Sequence, residues 1–257
     1  LVRIVASSKN IDPYLAEKDY WIMHSLYGLK QAGYDFQLKG GTSLSKGFGI
    51  VHRFSEDIDI HITPPESLSV RTSKNHDKEK DRQSRKGYYD YLAKKIKISG
   101  LARVERDTKF DVPPKYFSGG IRLYYEAAFP SDASAKEGVL LEAGFDDITP
   151  NHPIDISSWA LDFALGKKVD VVNNKAIQIP CYDPGYTLVE KLQAIATKFR
   201  KQEEGEEFPP NFMRHYYDIF CLLRNDEVQK FIGTEAYKKH KKRRFPKADQ
   251  IAPLREK

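Results

Sequence analysis

The segment Lys39 to Ile60, KGGTSLSKGFGIVHRFSEDIDI, places two kinds of group close together that phosphate chemistry uses jointly. Asp57 and Asp59 belong to the alternating run Asp57-Ile58-Asp59-Ile60-His61-Ile62, so a strand here projects both carboxylates and His61 from one face and three isoleucines from the other. Two carboxylates on one face suit hard divalent cations such as Mg²⁺ or Mn²⁺, which take oxygen ligands and leave positions for water and phosphate. Upstream, Gly40 and Gly41 let a turn approach a ligand closely, and a helix start after them offers N–H groups plus the Thr42 and Ser43 hydroxyls to phosphate oxygens. Two-metal phosphoryl transfer, with ions roughly 3.5–4 Å apart, uses such a pair and calls for a third carboxylate. Either feature alone is better read as a solvated edge strand or an ordinary tight turn; their order within one segment favours the chemical reading.

Positioning these groups requires a strand, a glycine turn and a helix start, and the flanking pattern supplies them. Asp12-Pro13 opens and Gly33 closes an amphipathic helix over Pro13 to Gln31, with Leu15, Ile22, Leu26 and Leu29 inward and Glu17-Lys18-Asp19 on a solvated face. Phe36 to Lys39 reads as a short strand, and Ile121 to Phe129 and Val139 to Phe145 as two more. Glu142 stands alone among aliphatics on the last of these, which makes it the candidate third acid; Asp146, just past the strand, is its rival. Arg71 to Gly87 is polar throughout, either an exposed loop or the polar start of a helix continuing through Tyr88 to Ile98.

From Tyr186 the pattern turns helical, with Leu188, Leu192, Ile195 and Phe199 in one stripe and Lys191 and Lys198 on a neighbouring face. An acidic loop, Glu203 to Glu207, and Pro209-Pro210 separate it from a second helix near Asn211 to Leu223, and the tail Lys238 to Lys247 is dense in base. On spacing alone Lys191 is a solvated helical lysine, Asp218 an acid paired with Arg214 at i−4 and His61 a structural hydrogen-bonder, while Arg53 either serves phosphate binding or, the favoured reading, packs against the sheet. The predicted class is α+β: a mixed sheet with flanking helices over residues 1–180 and a mostly helical part with a basic tail over 181–257.

Composition narrows the setting. A hydrophobic fraction of 40% with 12% aromatics is enough to bury a core and excludes an intrinsically disordered chain. The 42 Lys and Arg against 36 Asp and Glu leave a formal +6, compatible with a nucleic-acid partner but by itself a statement about solubility. No run approaches the roughly 18 apolar residues of a membrane span, and Leu1 to Asn10 lacks the apolar block of a secretory signal. Cys181 and Cys221 are the only cysteines and lie outside any CxxC or zinc-ligand spacing, so the expected setting is a reducing cytoplasm, without a membrane.

The segment GGTSLSKGFGIVHRFSEDIDI resembles the signature of the AbiEii/AbiGii (MenT-like) nucleotidyltransferase toxins, polymerase-beta-type enzymes of type IV toxin–antitoxin and phage-defence loci. EKDYWIMHSLYGL (Glu17 to Leu29), TLVEKLQAIATKFR (Thr187 to Arg200) and RHYYDIF (Arg214 to Phe220) resemble further segments of that family, in its order. The resemblance implies a nucleotidyltransferase-like sheet and transfer of a nucleoside monophosphate from a triphosphate to a hydroxyl acceptor. It implies that Gly41, Thr42 and Ser43 cradle the phosphates, Asp57 and Asp59 hold the metals, Lys191 binds the triphosphate and Asp218 completes the site. Asp218 either orients Lys191 or helps deprotonate the acceptor. The implied acceptor is the 3′ end of tRNA or another RNA, with protein hydroxyls as an alternative, and the implied partner is a separately encoded antitoxin. A nucleotide- or RNA-binding protein without turnover, and a metal-dependent nuclease, are the competing readings.

Overall fold

The computed structural model describes residues 1–129, 137–205, 207 and 212–250. In chain order the elements are α1 (Val2–Lys9), α2 (Pro13–Gln31), β1 (Phe36–Lys39), α3 (Gly40–Thr42), β2 (Asp57–Ile62), α4 (Glu79–Lys95), β3 (Leu101–Asp107), β4 (Ser118–Tyr125), β5 (Val139–Gly144), β6 (Asn151–Ile156), α5 (Trp159–Gly166), β7 (Ala176–Tyr182), α6 (Pro184–Glu203), α7 (Met213–Leu223), α8 (Asp226–Phe231), α9 (Glu235–Arg244) and α10 (Lys247–Gln250). The short α3 widens into a π-type turn, Ser43–Gly47. Pro209-Pro210 and the expected helix start at Asn211 lie outside the described residues.

The strands form one mixed sheet in the order β3-β4-β5-β2-β1-β7-β6. Strand β2 lies near its middle, antiparallel to β1 and parallel to β5. Its alternation is as expected: Ile58, Ile60 and Ile62 are fully buried, while Asp57, Asp59 and His61 line the other face. The isoleucines meet Leu26 and Leu29 of α2 and Tyr88, Tyr89 and Leu92 of α4 in the main core, each fully buried aliphatic contributing about 1.5–3 kcal/mol. α2 begins as its sequence requires, with Pro13 in the first turn and the Asp12 carboxylate accepting from the Tyr14 N–H at 2.7 Å.

A second apolar cluster sets up the site. Leu44 in the π-type turn and Val51 just after it pack with Leu188 of α6, Leu222 of α7 and Val228 of α8. This contact fixes the C-terminal helices against the glycine bend. The expected boundary at residue 180 falls inside β7, which pairs with β1 through Leu38 and Cys181.

Two expectations change. Glu17, Lys18 and Asp19 are buried, not solvated, because the first half of α2 is covered on several sides by α1, α5 and the chain after β4. Each charge finds a partner: Glu17 accepts from the N–H groups of Ala128 and Phe129, Lys18 donates to the Tyr14 hydroxyl, and Asp19 pairs with Lys46 at 2.5 Å and accepts from the Trp159 N–H. The polar Arg71 to Gly87 stretch divides into a loop and the first turns of α4, held together by Arg85. That side chain is fully buried and donates to the carbonyls of Arg71, His76 and Lys115.

Candidate active site at the glycine bend

The bend and the acidic strand are built around one another. Lys39 pairs with Asp59 across β1 and β2, and the chain then turns at Gly40 with φ +73°. A Cβ on Gly40 would lie 2.1 Å from Asp59 Oδ2, so this carboxylate rests directly on the bend. The Thr42 hydroxyl donates to the Asp57 carbonyl at 2.6 Å, tying the helical turn to the start of β2. Thr42 and Ser43 are both buried, so what the bend presents at its surface is chiefly backbone.

On the neighbouring strand, Glu142 is the register partner of Asp59 and Leu140 that of Asp57. Asp57, Asp59 and Glu142 therefore share one face of the sheet. Burial first, and the Asp57 carboxylate after it, push the Asp59 pKa up against the opposing pull of Lys39, Lys191 and Arg53. An all-oxygen donor set on one face, with an acid that burial and like charge hold back from ionising, fits a hard divalent cation. Among the described residues no three His, Cys, Asp or Glu side chains are gathered tightly enough to hold an ion unaided. Asp146, two residues beyond β5, is paired with Lys74 at 3.2 Å and Arg244 at 3.7 Å.

The C-terminal helices close the site. A cavity of about 190 Å³ is lined by Lys39, Gly40 and Asp59 on the sheet side and by Thr187, Lys191 and His215 on the helical side. Lys191 Nζ lies 2.7 Å from Asp218 Oδ2. Asp218 is fully buried, and its partner is Arg53, not Arg214: the guanidinium reaches both carboxylate oxygens, Nε to Oδ1 and Nη2 to Oδ2, at 2.7 Å each. Burial alone would raise the Asp218 pKa; the Arg53 hydrogen bonds and the Lys191 charge more than reverse it, so the carboxyl sits below its ordinary range. With both oxygens held by cations, Asp218 has the geometry of an orienting group.

Two further residues belong to this site: Arg53, which spacing favours as a packing side chain, and His215, which no motif marks. Arg53 touches the bend as well, since a Cβ on Gly41 would lie 3.1 Å from its Nη2. His215 Nε2 lies 3.0 Å from Lys198 Nζ, and burial together with Lys198 and Lys191 lowers its pKa to about 4, leaving a neutral imidazole in the cavity wall. The signal for Arg53 was present, four residues before Asp57, but its partner lies 165 residues away. His61 shares the acidic face one step further along β2, opposite Gln37 and Gly144.

A family model described as "Nucleotidyl transferase AbiEii toxin, Type IV TA system" matches residues 24–257. The chain belongs to this AbiEii family. The match begins inside the first of the four resembling segments, and it also includes residues 71–87 and the chain after Leu223. AbiEii membership makes the protein a nucleotidyltransferase of a type IV toxin–antitoxin system, with a nucleotide substrate and an antitoxin partner. No curated protein matches. Among solved structures the chain is similar to an antigenic nucleotidyltransferase-like protein from Paracoccidioides brasiliensis, with 13% identity over 89% of this chain and 94% of that one and a TM-score of 0.38. None of the described helices is long and apolar enough to cross a membrane.

Proposed function

We propose that this AbiEii chain transfers the nucleoside monophosphate of a nucleoside triphosphate to a hydroxyl acceptor in the cytoplasm, releasing pyrophosphate, and that the acceptor is the 3′ end of tRNA. The observation that carries the reading is that Asp59 and Lys191, from opposite ends of the chain, line one cavity at the glycine bend. Asp57 and Asp59, with Glu142 beside them, would hold Mg²⁺ or Mn²⁺. When bound, the metal supplies charge neutralisation on the phosphates and activation of the attacking oxygen.

The chain's own groups supply the remainder. Backbone N–H groups of Gly41 and the turn through Thr42 and Ser43 face the phosphates, and Lys191 offsets the charge that builds on the leaving pyrophosphate. Asp218 holds Lys191 in place through a 2.7 Å ion pair, and Arg53 holds Asp218 by its bidentate fork. The acceptor oxygen forms its bond to the α-phosphorus as the α–β bridging P–O bond breaks. Asp218 is too strongly held in its ionised form to take the hydroxyl proton, which leaves the strand carboxylates and the neutral His215 imidazole as the groups able to do so.

Purified protein incubated with Mg²⁺ is expected to place label from α-³²P, but not γ-³²P, nucleotide into the tRNA fraction of a cell extract. Equal incorporation by Asp57→Ala/Asp59→Ala would overturn the site, label in protein alone would replace the acceptor, and strand scission without label would favour a nuclease.

A further inference from the structure

One element of this chain is more strongly basic than any other. Of the formal +6 of the whole sequence, α9, EAYKKHKKRR, carries six Lys and Arg against one Glu, a net +5. The helix is fixed in place. His240 is buried against the Tyr186 ring, with centroids 4.7 Å apart, and its Nε2 lies 3.2 Å from the Tyr182 hydroxyl. Lys238, Lys239, Lys241, Lys242 and Arg243 are left exposed. Lys238 pairs with Glu235 and Arg243 with Asp147, whereas Lys239 and Lys242 have no ion-pair partner among the described residues.

Like charges three and four residues apart repel by a few tenths of a kcal/mol per pair. The helix dipole favours the cations of the last turn but does nothing for Lys238 and Lys239. Such a helix is best matched by a partner that brings many negative charges at once. Beside α9 runs a groove of about 620 Å³, walled by Lys74, Arg243 and Arg244 together with Asp146, Asp147 and Gln193. Its α6 wall is continuous with the active-site cavity: Gln193 faces the groove while Lys191 and Ala194 face the cavity, and Arg244 reaches Glu190, also in the cavity wall, at 3.4 Å.

We propose that α9 and this groove form the docking surface for the phosphate backbone of a nucleic-acid acceptor, guiding its end toward Asp59 and Lys191. The inference rests on the nucleotidyl-transfer reading above and adds where the acceptor lies. Phosphates would take the unpaired Lys239 and Lys242 first and compete with Asp147 for Arg243.

The test compares two triple variants of equal charge change, Lys239→Gln/Lys241→Gln/Lys242→Gln on α9 and Lys94→Gln/Lys95→Gln/Lys97→Gln at the end of α4, all six lysines being exposed. Binding of unfractionated tRNA is followed by fluorescence anisotropy without triphosphate, between roughly 50 and 200 mM salt. The α9 variant is expected to lose about 2 to 3 from the log–log salt slope, each lost phosphate contact being worth ~0.7–0.9, and to raise the KM for tRNA while the KM for triphosphate stays put. The α4 variant is expected to track wild type. Equal effects of the two triples would overturn the proposal, as would wild-type protein that labels a protein acceptor and fails to bind tRNA. Because RNA binding is read without nucleotide, a slope contrast that survives alongside absent nucleotide transfer would count against the transfer chemistry and in favour of the surface.

Discussion

Asp218 is the residue on which the geometry of the site turns. It is a fully buried carboxylate gripped by a guanidinium fork and an ammonium, all at 2.7 Å. A lysine cannot reproduce the two-point grip of Arg53, so Arg53→Lys should leave Asp218, and through it Lys191, free to drift. Displacements of about 1 Å cost on the order of a hundredfold in rate, and that is the loss in kcat/KM expected, with a native far-UV spectrum. Asp218→Asn tests the charge separately. The folded pKa of Asp218 is depressed, so its ion pairs contribute stability that is complete above the ordinary carboxylate range near about 4 and is lost as pH falls through the depressed value. The Asn variant should be less stable at neutral pH and should lack that part of the acid transition in urea melts. An unchanged acid limb would refute the assignment. Spacing predicted the Asp57 and Asp59 face because a strand's period is local. The same local reasoning pairs Asp218 with Arg214, and no local rule reveals its contact with Arg53, which lies in the loop before β2, 165 residues away.

At the scale of elements, the bend at Gly40 joins conformation to chemistry. Gly33 and Gly40 have nearly the same φ, +77° and +73°, but a Cβ on Gly33 meets nothing within 4 Å whereas one on Gly40 strikes Asp59 Oδ2. Gly33→Ala should therefore lose only the backbone term, about 1–2 kcal/mol, and keep its activity. Gly40→Ala should lose a similar amount or more and also lose nucleotide incorporation, because Asp59 must move. Thermal melts and label incorporation on both variants check this; an active Gly40→Ala would show that the resting place of Asp59 on the bend is immaterial. α2, β1, β2 and β5 were legible from periodicity and glycine punctuation. β6 and β7 were not: β6 carries Pro153 on an edge strand, and β7 breaks its alternation at Gln178, where φ is +53°. α9 was read only as a basic tail, since KKHKKRR offers no apolar stripe and its single inward anchor is His240.

For the whole molecule, the consequence of this topology is that neither half carries the site alone. The sheet brings Asp57, Asp59 and Glu142, the C-terminal helices bring Lys191 and Asp218, and the cluster of Leu44, Val51, Leu188, Leu222 and Val228 holds the two sets in register. The α+β class was legible from the order of patterns, whereas this cluster joins residues as far apart in the chain as Leu44 and Val228 and leaves no mark in any short window. Two kinds of substitution should therefore silence an AbiEii toxin by different routes. Expression of the wild-type chain is expected to arrest growth, and Lys191→Ala to abolish the arrest at an equal protein level and at every growth temperature. Leu222→Ala removes a fully buried side chain and should cost about 2–5 kcal/mol, so its toxicity should fade as the growth temperature rises. Growth curves beside immunoblots and melting temperatures distinguish the routes. Harmless wild-type expression at verified levels would remove the toxic role while leaving the chemistry of the bend to be judged by nucleotide transfer alone.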